Sequence, residues 1–186
     1  CMRIMGAKYP FAGWGQRFAI WLRSENPQPY FSYGNGAAMR VSSVGEYARS
    51  EEEVKRLSRI VTAVTHNHPE GLKGAACTAM CRRVAAEYYP EVVNLSPAEL
   101  LKTYTFDASC QGSVPQAIAC FLNADSFEDT LRNAISIGGD SDTIAAIAGG
   151  IAEAYFGIPE YMIEMAKRYL DDDLVLLAEN IERDMR

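Results

Sequence analysis

The sequence predicts an all-α protein, and three observations lead there. Serine caps recur ahead of segments whose apolar residues fall at helical spacing. Glycine and proline punctuate those segments where helices would start and stop. No stretch alternates apolar and polar residues with the period of a strand. Counting caps and periods gives about eight helices.

The 186 residues suit one domain, 1–186, with a sizeable core, and 48% hydrophobic with 23% charged residues is the balance of a globular chain. A net charge of −6 argues against nonspecific nucleic-acid binding. Residues 1–40 are nevertheless basic, holding Arg3, Lys8, Arg17, Arg23 and Arg40 against Glu25 alone. That part either serves an anionic small ligand or is a solvated surface. Five cysteines (Cys1, Cys77, Cys81, Cys110, Cys120), odd in number and without secreted-scaffold spacing, predict reduced thiols and a cytoplasmic location. The longest apolar run, 144–155, is too short for a membrane span and contains Glu153.

Taken in order, Trp14, Phe18, Trp21 and Leu22 mark a helix over 12–23, broken by 26–29. Then Gly34-Asn35-Gly36-Ala37-Ala38-Met39-Arg40 reads as a glycine-rich loop running into a short helix. Its glycines either let the backbone reach positive φ beside a ligand, or simply form a turn with Asn35 as a cap. Ser50 and Glu53 have capping-box spacing, and the helix behind them has Val54, Leu57, Val61 and Val64 on one face. It ends at Thr65-His66-Asn67-His68-Pro69-Glu70-Gly71, with both histidines of the chain.

Pro69 fits the first turn of a helix from Glu70 to about Tyr88, packing through Ala75, Ala76, Ala79, Met80 and Val84. Cys77 and Cys81 on it are a poor match to zinc-site spacing, so His66 or His68 is better used on a ligand from the loop, the other being structural. Ser96 and Pro97 start a short helix, residues 103–112 read as irregular, and Ser113-Val114-Pro115 opens a helix with Ala117, Ile118, Phe121 and Leu122 inward. Ser126 caps the next, which ends at Gly138-Gly139. After the 144–155 helix, Gly157 is a stop and Pro159 a start, with Tyr161, Met162, Met165 and Tyr169 as an apolar side. A last helix runs from about Leu174 to Ile181.

The chain is organised around Gly138-Gly139-Asp140-Ser141-Asp142-Thr143. Two carboxylates and a hydroxyl within four residues offer hard oxygens suited to Mg²⁺, Mn²⁺ or Ca²⁺. The helix behind is too apolar for a surface helix, and small residues at Ala145, Gly149 and Ala152 let neighbours approach. Carboxylates at its mouth would be held in place, as a metal site needs. Two readings stand side by side: a metal site, or an aspartate acting only as an N-cap. No nucleophile elbow, P-loop or dinucleotide fingerprint is present.

Gly34-Asn35-Gly36-Ala37-Ala38-Met39-Arg40, the Thr65–Gly71 histidine loop, Gly112-Ser113-Val114-Pro115 and Gly138–Thr143, in that order and spacing, resemble the ADP-ribosylglycohydrolase family over nearly the whole chain. The resemblance implies a compact orthogonal multi-helix domain and a hydrolase. Such an enzyme removes ADP-ribose from a modified protein side chain or a small ADP-ribosyl compound, using two Mg²⁺ ions, with Mn²⁺ as an alternative. By resemblance, Asp140, Asp142 and Thr143 are metal ligands, Asp140 and Asp142 carry the catalysis, and Asn35, Gly36, Ala37 and Met39 embrace the ribose and phosphates. His66 matches the family's histidine near the diphosphate, and Ser113 and Val114 match a loop at the nucleotide end.

The family's G-D-x-x-G helix, T-D-D-T motif and flap glutamate are not found in 1–186, so the chain is expected to be the C-terminal two-thirds of a longer enzyme, inactive or weak alone. The implied partner is an ADP-ribosylated protein or small ADP-ribosyl compound, with no nucleic acid or membrane; exposed apolar surface would favour a homo-oligomer. Two rival classes are a nucleotide-binding module without catalysis and a crystallin-like structural protein.

Overall fold

Small residues and serine caps set the architecture that the computed structural model shows for residues 2–80 and 89–185. Among the described residues there are thirteen helices and no strand, only one isolated antiparallel bridge between Gly34 and Ser109. In chain order they are α1 (Met2–Lys8), α2 (Gln16–Arg23), α3 (Gly36–Met39), α4 (Ser42–Tyr47), α5 (Glu51–Ala63), α6 (Pro69–Met80) and α7 (Pro90–Val93). Then follow α8 (Pro97–Thr103), α9 (Cys110–Leu122), α10 (Phe127–Ser136), α11 (Ser141–Phe156), α12 (Glu160–Lys167) and α13 (Asp172–Met185). The all-α expectation holds, while the expected count of about eight was too low. The short helices α1, α4 and α7 have too few turns to show a period in sequence.

The core lies where α9 and α11 cross, with α10, α6 and α3 packed around them. Val114, Ile118, Ile144 and Ile147 are buried there, each side chain contributing about 1.5–3 kcal/mol relative to exposure. Small residues on α11 do let neighbours in. A Cβ on Gly149 would meet Leu131 at 3.1 Å, and one on Gly150 would lie 2.6 Å from the Ser42 side chain. That second contact seats α4 directly on α11.

Caps fall largely where expected. Ser96 and Glu99 form a complete capping box, and Ser126 accepts from the Asp129 N–H at 3.1 Å. At α5 only half of the box forms. Ser50 accepts from the Glu53 N–H, but the Glu53 carboxylate accepts from the Arg49 N–H at 3.0 Å instead of from Ser50. On α5 the buried residues are Val54, Ser58 and Thr62, and Val64 is exposed. Helix α2 starts at Gln16 rather than residue 12, and α6 starts at Pro69. Cys81, Val84 and the stretch to Tyr88 lie outside the described residues, as does Cys1.

The expected opening of a helix at Ser113 needs correction. Helix α9 begins at Cys110, because Ser109 caps it by accepting the Gly112 N–H at 3.1 Å. Asp107 in turn accepts the Ser109 N–H at 2.8 Å, which fixes the approach. Ser113 and Val114 are therefore helical and buried, not on a loop. Tyr161, Met165 and Tyr169, read as the apolar side of the helix that Pro159 starts, are exposed, and Tyr169 lies beyond the end of α12. Among the described residues no helix is long and apolar enough to cross a membrane.

Candidate functional site

The site begins with a turn that only glycine takes easily. Gly138 and Gly139 have φ of +72° and +65°, so the chain reverses sharply between α10 and α11 and presents Asp140 at the mouth of α11. Asp140 occupies the N-cap position, yet its side chain accepts no N–H of the helix. The cap reading is thus incomplete: the carboxylate is turned elsewhere.

It is turned toward Asn35. The Asn35 side-chain amide donates to Asp140 Oδ2 at 2.6 Å and to Ser113 Oγ at 2.9 Å. Ser113 donates its one proton to the Asp107 carbonyl at 2.9 Å, so its oxygen must accept from Asn35. This settles the orientation of the Asn35 amide, with NH₂ rather than oxygen toward the carboxylate. Asn35 is itself strapped down on the backbone. Its N–H donates to the Ala108 carbonyl at 2.9 Å, and the Cys110 N–H donates to the Tyr33 carbonyl at 2.9 Å. Asn35 stands at the N-cap position of α3 without a side-chain cap bond.

Tyr104 holds the other side of Asp140. Its hydroxyl accepts the Asp140 N–H at 3.4 Å, and its ring lies on Gly139, where a Cβ would come within 2.3 Å of Cε1. The connector 104–107 therefore grips Asp140 twice, once at the backbone and once through Ser113 and Asn35. No sequence signal announced this, since the segment has no period and no cap of its own.

Asp142 is exposed while Asp140 and Thr143 are buried. Burial holds the Asp140 carboxyl above the usual carboxylate range and Asp142 adds to the rise, against the lowering bonds from Asn35 and Thr143. Among the described residues no cationic side chain pairs with these two carboxylates, a setting that a divalent cation would relieve. Two carboxylates and a hydroxyl are hard oxygens, so this donor set fits Mg²⁺ or Mn²⁺ as part of a coordination shell. Among the described residues there is no group of three or more His, Cys, Asp or Glu around it.

His66 lies beside the glycine loop that carries Asn35. Neither Gly34 nor Gly36 has positive φ, which corrects the expectation that they allow an unusual backbone. A Cβ on Gly34 would stand 3.5 Å from His66 Nε2 and one on Gly36 would stand 3.6 Å from it, ordinary contact distances that place the imidazole against the turn. His66 is buried and its pKa is lowered to about 4, first by burial and then by Arg40 and Arg17. Its Nδ1 lies 2.7 Å from Thr65 Oγ1 and 3.4 Å from Arg40 Nη2.

The two histidines divide as the sequence left open. His68 accepts the Glu70 N–H at 3.1 Å at the start of α6, with Phe31 and Tyr33 packed edge-on against its ring. It is structural. Phe31 keeps φ at +54° there, its N–H donating to Asn67 Oδ1 at 2.7 Å.

Of the residues expected around a ligand, Asn35, Gly36, His66 and the Asp140–Thr143 cluster converge. Met39 is exposed beside them. Ala37 and Val114 are fully buried and serve as packing behind the loop rather than as its surface. Ser113 is likewise buried and acts through Asn35. The basic N-terminal residues are largely taken up in structure: Arg3 donates to the Ser24 carbonyl at 2.7 Å, Lys8 pairs with Asp173, and Arg17 donates to the Tyr30 carbonyl.

Comparison with known proteins bears on the family of the chain. A family model described as ADP-ribosylglycohydrolase matches residues 6–186. The human ADP-ribosylhydrolase ARH3 is 27% identical over 213 residues, covering 82% of this chain and 58% of that protein. An uncharacterized protein of Archaeoglobus fulgidus is 31% identical over 166 residues, covering 74% of this chain and 54% of that protein. The ADP-ribosyl-[dinitrogen reductase] glycohydrolase of Rhodospirillum rubrum is 29% identical over 145 residues, covering 68% of this chain and 47% of that protein. The chain thus spans less than two thirds of the length of the curated relatives it matches.

Proposed function

We propose a function on the premise that this chain belongs to the ADP-ribosylglycohydrolase family: it is part of a hydrolase that releases ADP-ribose from a modified protein side chain or a small ADP-ribosyl compound. The observation that carries the reading is the bond from Asn35 to Asp140, which joins the glycine loop to the carboxylate cluster. One wall then offers backbone and imidazole donors, and the other offers anionic oxygens. A ribosyl phosphate has matching parts, with phosphates for the first wall and a hydroxyl-bearing ring for the second.

Asp140, Asp142 and Thr143 would hold Mg²⁺ or Mn²⁺, two ions in the complete family site. Such ions, when bound, orient ribose hydroxyls and make a bound water more acidic. Asn35 positions the Asp140 carboxylate, and Ser113 keeps the Asn35 amide facing it. Departure of the side chain from the anomeric carbon develops oxocarbenium character, so the site has to hold the ribose in place and present water to that carbon. Three protein oxygens leave the larger part of each ion's shell to water, so cation affinity and turnover of this 186-residue chain by itself are expected to be low. That donor count favours, as a second reading, a module that binds ADP-ribose without cleaving it.

The test is a thermal melt with and without Mg²⁺ and ADP-ribose, on the wild type and on Asp140→Ala/Asp142→Ala, beside hydrolysis assays on ADP-ribosyl-arginine and ADP-ribosyl-serine peptides. A cation-dependent ADP-ribose shift lost in the double variant supports the site. A shift indifferent to cation and to the variant overturns the metal role, and no shift under any condition overturns the ligand. Turnover then separates hydrolase from binding module.

A further inference from the structure

Arg40 is a guanidinium turned into the protein without a carboxylate. Among the described residues no acidic side chain lies within ion-pair distance of it. Its donors go elsewhere: Nε to the Gly36 carbonyl at 2.7 Å, Nη1 to Thr65 Oγ1 at 3.1 Å, and Nη2 toward His66 Nδ1 at 3.4 Å. Phe18 lies beneath it at 5.9 Å, and Arg17 sits on the Tyr30 ring at 4.8 Å. A half-buried cation without a counter-ion is costly unless it serves something.

An arginine can only donate. His66 Nδ1, facing Arg40 Nη2, must therefore be the acceptor nitrogen. Thr65 agrees with this. Its oxygen already accepts from Arg40 at 3.1 Å, which leaves its own proton free to go to Nδ1 at 2.7 Å. With Nδ1 accepting, the imidazole proton must be on Nε2. That nitrogen lies against the vacant Cβ positions of Gly34 and Gly36.

We propose that Arg40 is a positioning residue that locks His66 as a neutral imidazole with its proton on Nε2, aimed at the Gly34–Gly36 turn. The inference rests on the ADP-ribose reading only for the identity of what Nε2–H meets, a phosphate oxygen. The same guanidinium supplies positive charge behind the turn, with no carboxylate among the described residues paired to it. An anion at the turn is thus met by a directed N–H donor and a fixed cation, neither of which changes charge near neutral pH.

The test is two-bond ¹H–¹⁵N spectroscopy of the imidazoles, which is tractable because the chain has 2 histidines. His66→Gln assigns the signals, and binding of ADP-ribose and of adenosine is measured in parallel. In the wild type at pH 7, His66 is expected wholly as the Nε2–H tautomer. In Arg40→Met a mixture of tautomers is expected, its titration moving up toward that of an ordinary histidine. ADP-ribose affinity should fall tenfold or more while adenosine affinity changes less than twofold. Arg40→Lys should retain an intermediate affinity. An Nδ1–H tautomer in the wild type overturns the inference without any variant, and so does an unchanged tautomer in a folded Arg40→Met. Wild-type protein that shows the Nε2–H tautomer but binds no ADP-ribose overturns the functional reading and leaves the tautomer lock standing.

Discussion

The Asn35 amide donates to the Asp140 carboxylate at 2.6 Å across 105 residues of sequence. That contact makes one site of two motifs that are each unremarkable alone. It also explains why Asp140 leaves the helix N–H groups of α11 without its side chain: the carboxylate is held by a donor at the N-cap position of α3.

Asp140→Asn tests the charge at this point. Burial and Asp142 disfavour the ionised form in the folded state. A carboxyl with a raised folded pKa loses stability as pH rises through its unfolded value toward the folded one. The neutral amide can still accept from Asn35. At pH 7 in EDTA the variant should melt higher than the wild type, and it should show no response to Mg²⁺. A lower melting temperature in EDTA would mean that the carboxylate is compensated by the protein alone.

Ser113→Ala tests the support for Asn35. The variant removes an acceptor for Asn35 and a donor to the Asp107 carbonyl inside a fully buried position. The cost should be about 1–3 kcal/mol, seen as a lower midpoint in urea with an unchanged slope. Ser113→Thr keeps the hydroxyl and should recover part of the loss if the site admits the added methyl.

Gly138 and Gly139 make a contrasting pair. Both have positive φ, but a Cβ at Gly138 would meet nothing within 4 Å, whereas at Gly139 it would strike the Tyr104 ring at 2.3 Å. Gly138→Ala should cost about 1 kcal/mol from backbone strain alone. Gly139→Ala should cost at least twice that and shift the near-ultraviolet circular dichroism of tyrosine. Equal effects would deny Tyr104 its role in fixing the turn.

The low pKa of His66, about 4, sets an acid dependence. The unfolded chain takes up the proton near 6.5 and the folded protein only near 4, so the unfolded state binds more protons between those values. Stability therefore falls as pH drops from about 6.5 to about 4, by roughly 3 kcal/mol at ~1.4 kcal/mol per unit, and this contribution is flat above 6.5. Urea denaturation of wild type and His66→Gln over this range should show a shallower acid decline in the variant. Parallel declines would show that other groups carry it.

Tyr104→Phe removes only the hydroxyl that accepts the Asp140 N–H and leaves the ring on Gly139. Melting should change little in EDTA, while Mn²⁺ affinity measured by electron paramagnetic resonance should weaken severalfold. An unaltered affinity would assign the positioning of Asp140 to Asn35 and Ser113 alone.

Legibility followed the range of the interactions. Serine caps at positions 50, 96 and 126 act on an N–H three residues away, and each stands where local pattern put it. The start of α9 was misplaced because Ser109 is itself held by Asp107, a turn that the apolar period does not register. The roles of the glycines at 34 and 36 were misjudged for a related reason: composition suggests backbone freedom, whereas neither has positive φ and the turn is marked by an imidazole arriving from another loop.

By itself the sequence determined the all-α class, most of the longer helices, the sharp glycine turn before Asp140 and the membership of a family. These depend on contacts within a turn or two of the chain, or on motifs whose order is preserved in one dimension. Only the tertiary structure decided that Asp140 faces Asn35, that Tyr104 grips its backbone, that His68 caps a helix while His66 faces the glycine turn, and that Arg40 stands behind it with no carboxylate partner among the described residues. Those facts concern the direction of side chains brought together from distant positions. Directions in space are set by the crossing of packed helices, which no local propensity contains.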